Sequence, residues 1–513
     1  MLKHFIPIIV AVVLFGSLFL VCGFTSAQPY WPDQAWRVSS PEEQGLDSTR
    51  IVAILEHITQ QQIDIHSLLI VRHGYLVTEA YWAPYSKETK HPLFSGTKSF
   101  TSALLGIALE DGKFRGVEQK VLDFFGNADP GKLDPVKKDI TVEHLLTMSS
   151  GLKPTPSSPL FSNENPIQFV LDLPMEKKPG EAFAYNSAAL HLLSGILRQT
   201  TGTDIFAYAQ TRLFTPLGIS DVTWQTDSKG LHLTATGISM TPRDWAKFGY
   251  LYLQNGTWNG KQLISPTWIA QSTQKQIDTT GKMNAAENDG YGYLWWMNGF
   301  DGYSAHGFGG QYLFVIPALD VIVVVTAGLP NPQFPIPHEL VKTYILPAAQ
   351  SAEPLKPNPQ ASQDLKTSIE KLAYQESKSV GSLPDTAKRI SGKTFRITQE
   401  GSGGYFCKTV ALTFTDGAEY TSESFWPDGK LYVLQGGLNN IFRLNAFERN
   451  QQPARVALKA YWQDEKTFVE YLKDFSQVDL ATHTYTFEGN KLTIDVNSSM
   501  GAYSFQAVGE MVE

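Results

Sequence analysis

The sequence predicts an α/β (α+β) body, an antiparallel sheet flanked by helices with an all-helical insertion, followed by a small all-β C-terminal domain. Three observations predict it. Strand patterns lie at both ends of the first 347 residues with helical periodicity between them, so the N- and C-terminal strands are expected to meet in one sheet. Residues 347–362 then place Pro347, Pro354, Pro357 and Pro359 among Ala, Ser and Gln, a linker composition. From about residue 385 the texture changes to short alternating strands separated by turns such as Pro427-Asp428-Gly429 and Glu488-Gly489-Asn490.

At the N-terminus, Lys3 and His4 precede an apolar run over 5–21, and Thr25-Ser26-Ala27 offers small residues for cleavage. Residues 1–27 therefore read as a signal peptide, or as an uncleaved membrane anchor. The body is expected to be extracytoplasmic: secreted, periplasmic or anchored facing outward. Residues 28–347 form the predicted α/β unit. Within it, 46–60 has helical periodicity, and 67–71 and 76–82 form a hairpin around Arg72-His73-Gly74. A long helix starts near Ser95. Thr141 caps a helix with His144 at the capping-box position and Gly151 as a stop. Helices follow at 187–200 and 241–254, then strands at 292–297, 311–316 and 321–326. A linker over 348–384 with a short helix at 363–376 leads to a β-rich domain over 385–513, with strands expected at 410–414, 430–434, 457–462, 482–487 and 491–496.

Composition narrows the function. With 42% hydrophobic and 18% charged residues, the chain can bury a large core. A net charge of −8 and the lack of a basic stripe argue against a nucleic-acid partner. Cys22 and Cys407 are the only cysteines, so cleavage after Ala27 would leave one thiol and no intrachain disulfide. The histidines show no metal-ligand spacing, and neither a metal nor a cofactor is expected.

Ser-x-x-Lys occurs at Ser95, Ser150, Ser272 and Ser368, and only Ser95 opens a long apolar helix. Free N–H groups at a helix start favour negative charge, and Lys98, at i+3, lies on the same face. A partly desolvated lysine can accept or relay a proton. Tyr185-Asn186-Ser187 sits at a loop-to-helix junction, where a tyrosine can act as a base beside cations or simply pack. Gly307-Phe308-Gly309-Gly310-Gln311 leads into a strand, and strand-edge N–H groups there are candidates for an oxyanion hole with the N–H of Ser95. His306 reads either as a second active-site cation or as an exposed side chain. No Gly-x-Ser-x-Gly elbow occurs.

Together with Ile140-Thr-Val-Glu-His-Leu-Leu-Thr-Met-Ser-Ser-Gly-Leu, Pro179-Gly-Glu-Ala-Phe-Ala-Tyr-Asn-Ser and Gly237-Ile-Ser-Met-Thr-Pro-Arg-Asp-Trp-Ala-Lys-Phe-Gly, these motifs follow a family order. Over roughly residues 35–345 the chain resembles the class C-like branch of the serine β-lactamase and penicillin-binding-protein superfamily. That branch includes esterases, D-amino-acid peptidases and a 6-aminohexanoate-dimer hydrolase. The resemblance implies a β-lactamase/transpeptidase-like fold, Ser95 as nucleophile, Lys98 as its proton partner and Tyr185 as base or acid. It makes Ser187, His306, Gly309, Gly310 and Gln311 the substrate and oxyanion candidates. Two departures stand out. Ser187 replaces the Asn of the usual Tyr-x-Asn, and no Lys-Thr-Gly or His-Thr-Gly tripeptide occurs. Ester or amide hydrolysis of a small or peptide-like molecule is therefore favoured over penicillin destruction. The competing readings are a non-catalytic peptide- or cell-wall-binding protein and an acyltransferase. Membrane attachment is expected only through the N-terminal segment.

Overall fold

The computed structural model describes residues 30–512 apart from 33, 127–133, 282–288, 401–406, 416 and 450–451. The expected export segment, with Cys22, lies outside the described residues. Seven strands form the first sheet: β1 (Arg37–Val38), β2 (Ile65–Arg72), β3 (Tyr75–Tyr81), β4 (Trp296–Asn298), β5 (Gly302–Gly307), β6 (Gln311–Ile316) and β7 (Val321–Ala327). Their order is β1-β3-β2-β7-β6-β5-β4. The two ends of the body meet at β2 and β7, which pair antiparallel with Ile70 opposite Val323.

Alternation decides what covers each face. In β2, Leu68 and Ile70 point to one core while Leu69 and Val71 point to the other; in β7, Val323 and Val325 oppose Ile322 and Val324 in the same way. Among the helices are α1 (Ser48–Gln60), α2 (Thr97–Glu110), α3 (Val142–Leu146), α4 (His191–Thr201), α5 (Pro242–Leu253), α6 (Pro359–Ala373) and α7 (Asp385–Ile390), with other short helices between them. Ile51, Ile54, Leu55 and Ile58 of α1 fill one core. Phe100 of α2 and Phe248 of α5 stack 3.8 Å apart in the other. The capping box of α3 forms as expected: Thr141 Oγ1 accepts from the His144 N–H, and His144 Nδ1 accepts from the Thr141 N–H. The helix ends sooner than Gly151, because Met148 adopts a φ of 56°.

Two expectations need correction here. The strand expected at 292–297 is only Trp296–Asn298, since Leu294 at φ 63° breaks the extended run. The linker helix starts earlier than 363: the Asn358 side chain caps it and Pro359 opens it. It is also docked, with Leu365, Ile369 and Leu372 against the α1 core.

The C-terminal region is a ten-stranded antiparallel barrel: β8 (Thr394–Glu400), β9 (Thr409–Phe414), β10 (Glu419–Phe425), β11 (Leu431–Gly437), β12 (Arg443–Arg449), β13 (Gln452–Trp462), β14 (Thr467–Asp474), β15 (Leu480–Glu488), β16 (Lys491–Ser498) and β17 (Ser504–Met511). In the order β11-β10-β9-β8-β17-β16-β15-β14-β13-β12 all neighbours pair antiparallel, and the sheet closes through a single parallel bridge between Gly437 of β11 and Lys459 of β13. Five of these strands had no sequence signal. β10 and β14 turn Ser422, Ser424 and Glu470 toward the interior, and those polar residues erase the alternation.

The barrel meets the body around Lys473. Lys473 Nζ, buried, donates to His66 Nε2 at 3.0 Å and lies 3.4 Å from Asp64. His66 Nδ1 then meets His91 Nε2 at 2.8 Å, and His91 Nδ1 meets the Pro92 carbonyl at 3.2 Å. This chain fixes both histidines as neutral tautomers. Burial, reinforced by the Lys473 charge, pushes His66 down to about 4. The unfolded chain takes up that proton below pH 6.5 while the folded one does not. Stability is therefore fully present above pH 6.5 and falls toward pH 4, with roughly 3 kcal/mol at stake. Thermal unfolding measured across this interval should show the loss, and a His66→Phe variant should show a shallower one.

Candidate active site

Ser95 sits in a 3₁₀ turn, Phe94–Gly96, that runs directly into α2. Phe94 holds φ at 46°, a left-handed conformation that costs a non-glycine residue of order 1 kcal/mol or more. The turn is laced to the loop before α5. Leu93 N–H donates to the Ile238 carbonyl, Thr97 Oγ1 accepts from the Ile238 N–H, and Thr101 Oγ1 donates to the Thr234 carbonyl. Ser95 is half-buried, so its hydroxyl stays reachable.

Lys98, one turn on, is 2% exposed. Its Nζ donates to Ser95 Oγ and to the Ala235 carbonyl, both at 2.8 Å. Burial alone pushes this amine well below the usual lysine range. A neutral amine held 2.8 Å from a hydroxyl can take that hydroxyl's proton. The same Nζ lies 4.7 Å from the ring centroid of Tyr185. Tyr185 is half-buried and stacks on Trp296 at 6.0 Å. Asn186 pins the segment: it donates to the carbonyls of Leu152 and Lys153 and accepts from the N–H groups of Thr155 and Ala189. The structure thus brings Ser95, Lys98 and Tyr185 together, and Ser187, two residues on from Tyr185, is half-buried.

The remaining candidates lie along β5 and its turn. His306 is buried rather than exposed, and it too stacks on Trp296, at 5.5 Å. Ser304 Oγ donates to Asn298, so it accepts from His306 Nε2 at 2.5 Å. Gly309 and Gly310 take φ values of 81° and 87° and form the turn into β6. Gln311 is wholly buried, and its amide is committed to backbone: it donates to the carbonyls of Phe308 and Ala327 and accepts from the Ala327 N–H. These three residues shape the turn, whereas Gly307 makes the close approach to the Ser95 turn.

A Cβ on Gly307 would lie 2.1 Å from the Leu93 carbonyl oxygen. Gly307→Ala should push β5 from the Ser95 turn and lower kcat/KM by about 100-fold, as small misplacements do. Steady-state assays of the variant, checked for folding by circular dichroism, would test this. Sequence reasoning also missed the Ala235 carbonyl, a backbone group carrying no side-chain signal. It missed an aromatic rim as well. Phe308 is exposed and packs edge-on against Phe94 at 5.5 Å and Phe334 at 5.1 Å.

The chain belongs to the Beta-lactamase family, whose model matches residues 51–340. It is similar to the 6-aminohexanoate-dimer hydrolase of Paenarthrobacter ureafaciens, at 23% identity over 327 residues, 60% of this chain and 83% of that one. Among solved structures, a candidate beta-lactamase from Bacteroides dorei DSM 17855 has a TM-score of 0.50 at 17% identity, covering 59% of this chain and 99% of the other. The octameric penicillin-binding protein homologue from Pyrococcus abyssi has a TM-score of 0.47 at 18% identity, covering 89% of this chain and 99% of its own. At such identities the Bacteroides likeness speaks to the fold alone. Membership makes this chain a β-lactamase-fold serine hydrolase.

Proposed function

We propose that the protein hydrolyses an ester or amide through an acyl-enzyme on Ser95. The observation that carries the reading is the buried Lys98 amine bonded to Ser95 Oγ, with burial as the cause of its lowered pKa. Neutral Lys98 takes the Ser95 proton as Oγ attacks the carbonyl carbon. The tetrahedral oxyanion is met by the Ser95 N–H and the β5 edge beside Gly307. Collapse breaks the bond to the alcohol or amine, which leaves with a proton delivered by Lys98 or through Tyr185. Water then attacks the acyl carbonyl, gives its proton to the same pair, and releases the acid and free Ser95. The Phe94, Phe308 and Phe334 rim supports a substrate with an apolar group beside the scissile carbonyl. The basic, apolar and small-residue pattern of 3–27 supports an extracytoplasmic location.

A fluorophosphonate probe tests the nucleophile. Peptide mass spectrometry should place the adduct on Ser95 of the folded protein. A folded protein that remains unlabelled there would sink the acyl-enzyme reading and favour a non-catalytic binder. Added alcohol or amine that captures the acyl group in place of water would move the assignment to acyl transfer.

A further inference from the structure

The barrel is filled at one end and hollow at the other. Phe395, Phe414, Tyr420, Phe468 and Phe487 pack together with Ala387 and Ile390 of α7 behind them. Phe468 lies edge-on to both Phe414 and Tyr420, at 5.2 and 5.1 Å. Beyond this plug lies a cavity of about 540 Å³, within the range that holds a drug-sized molecule. Its walls are apolar, with Leu434, Val456, Leu458, Ile494 and Val496 among them.

A closed core would reject the polar residues that share this lining. Ser422 and Ser424 point inward, and Glu470, 2% exposed, lies beside the plug. Glu470 is built into place. It accepts from Tyr420 Oη at 2.6 Å, Tyr485 Oη at 3.2 Å and His483 Nδ1 at 2.9 Å. With Nδ1 committed, Nε2 is the remaining acceptor of the His483 ring, which also lines the cavity. Arg449, another lining residue, is paired with Asp474 at 2.6 Å and is bonded to Ser476. Its charge is therefore answered. Asp428, Glu470 and Asp474 give the lining three carboxylates against one arginine.

From this arrangement we propose that the barrel is a binding site for a neutral or weakly basic apolar small molecule carrying a hydrogen-bond donor for His483. Carboxylate-bearing lipids are disfavoured by the excess of negative groups. The site is separate from Ser95: its lining includes none of Ser95, Lys98 or Tyr185. It stands whether or not the hydrolase reading does.

The test is a fluorescence titration of the full chain with the neutral probe N-phenylnaphthylamine. The expected result is saturable binding at one site per chain, unchanged in Ser95→Ala and after fluorophosphonate treatment. Dodecanol should displace the probe at least about tenfold better than dodecanoate, a difference the charge inventory demands. Leu458→Trp and, separately, Val496→Phe should fill the cavity and weaken binding by about tenfold or more, with circular dichroism confirming the fold. The proposal is overturned if no saturable binding occurs, if fluorophosphonate abolishes it, if dodecanoate competes equally, or if both folded variants bind as wild type does.

Discussion

Replacing Ser95 with alanine is expected to lower kcat/KM for an activated ester by about ten-thousand-fold or more, because the covalent route vanishes altogether. The change should leave the fold intact. Ser95 is half-buried in a turn held by backbone and threonine bonds from Leu93, Thr97 and Thr101, none of which involve its own hydroxyl. A p-nitrophenyl ester assay on wild type and variant decides it. Equal rates would remove Ser95 from the mechanism.

Lys98→Met should produce the second large effect, and in two opposite directions. Loss of the proton acceptor is expected to lower kcat by about 10²–10⁴-fold. Thermal stability at neutral pH should rise by about 0.5–2 kcal/mol, as when an active-site strain is relieved. The sign follows from linkage. Burial holds the folded-state pKa of Lys98 well below 10.5, so between that depressed value and 10.5 the unfolded chain binds the proton and the folded chain does not. Wild-type stability therefore climbs with pH through that window, and the methionine variant should lack the climb. Wild-type kcat/KM should fall as acid protonates the amine. Denaturant titrations and pH–rate profiles measure both. A variant less stable than wild type at neutral pH would overturn the account of Lys98 as an amine whose burial costs more than its bonds to Ser95 Oγ and the Ala235 carbonyl return.

The Ser95–Lys98 contact was legible because it is local: three residues apart on one helical face, with an apolar helix to bury the second. The tyrosine segment was legible as a junction before an apolar run. What places it is Asn186, three of whose four backbone bonds reach residues more than thirty positions away. Sequence reasoning put weight on Gly309, Gly310 and Gln311 because the glycine-rich run leads into a strand whose edge N–H groups could meet an oxyanion. The structure sets Gly307 against the Ser95 turn and makes the other three a turn into β6. His306 illustrates the same limit, since neither of its expected settings anticipated the aromatic stack on Trp296. In the barrel, strands with an unbroken apolar inner face, such as β16 with Leu492, Ile494 and Val496, were readable by alternation. β10 and β14 were not, because Ser422, Ser424 and Glu470 stand where apolar residues would keep the pattern.

The grip of the barrel on the body has an evolutionary consequence. Val478, in the turn between β14 and β15, reaches two glycines at strand ends of the hydrolase body, Gly309 in the β5–β6 turn and Gly328 just past β7. A Cβ on Gly309 would come within 2.8 Å of the Val478 side chain, and one on Gly328 within 2.3 Å of its carbonyl oxygen. Gly309 also serves its turn, but Gly328 has no left-handed φ and stays bare for want of room. Among related chains, position 328 should then act as a marker of architecture. Lineages that keep the barrel are held to glycine by a backbone neighbour about 150 residues downstream, whereas in descendants that shed it only the Asp64 and His66 side chains, 2.5 and 3.0 Å from such a Cβ, would have to give way.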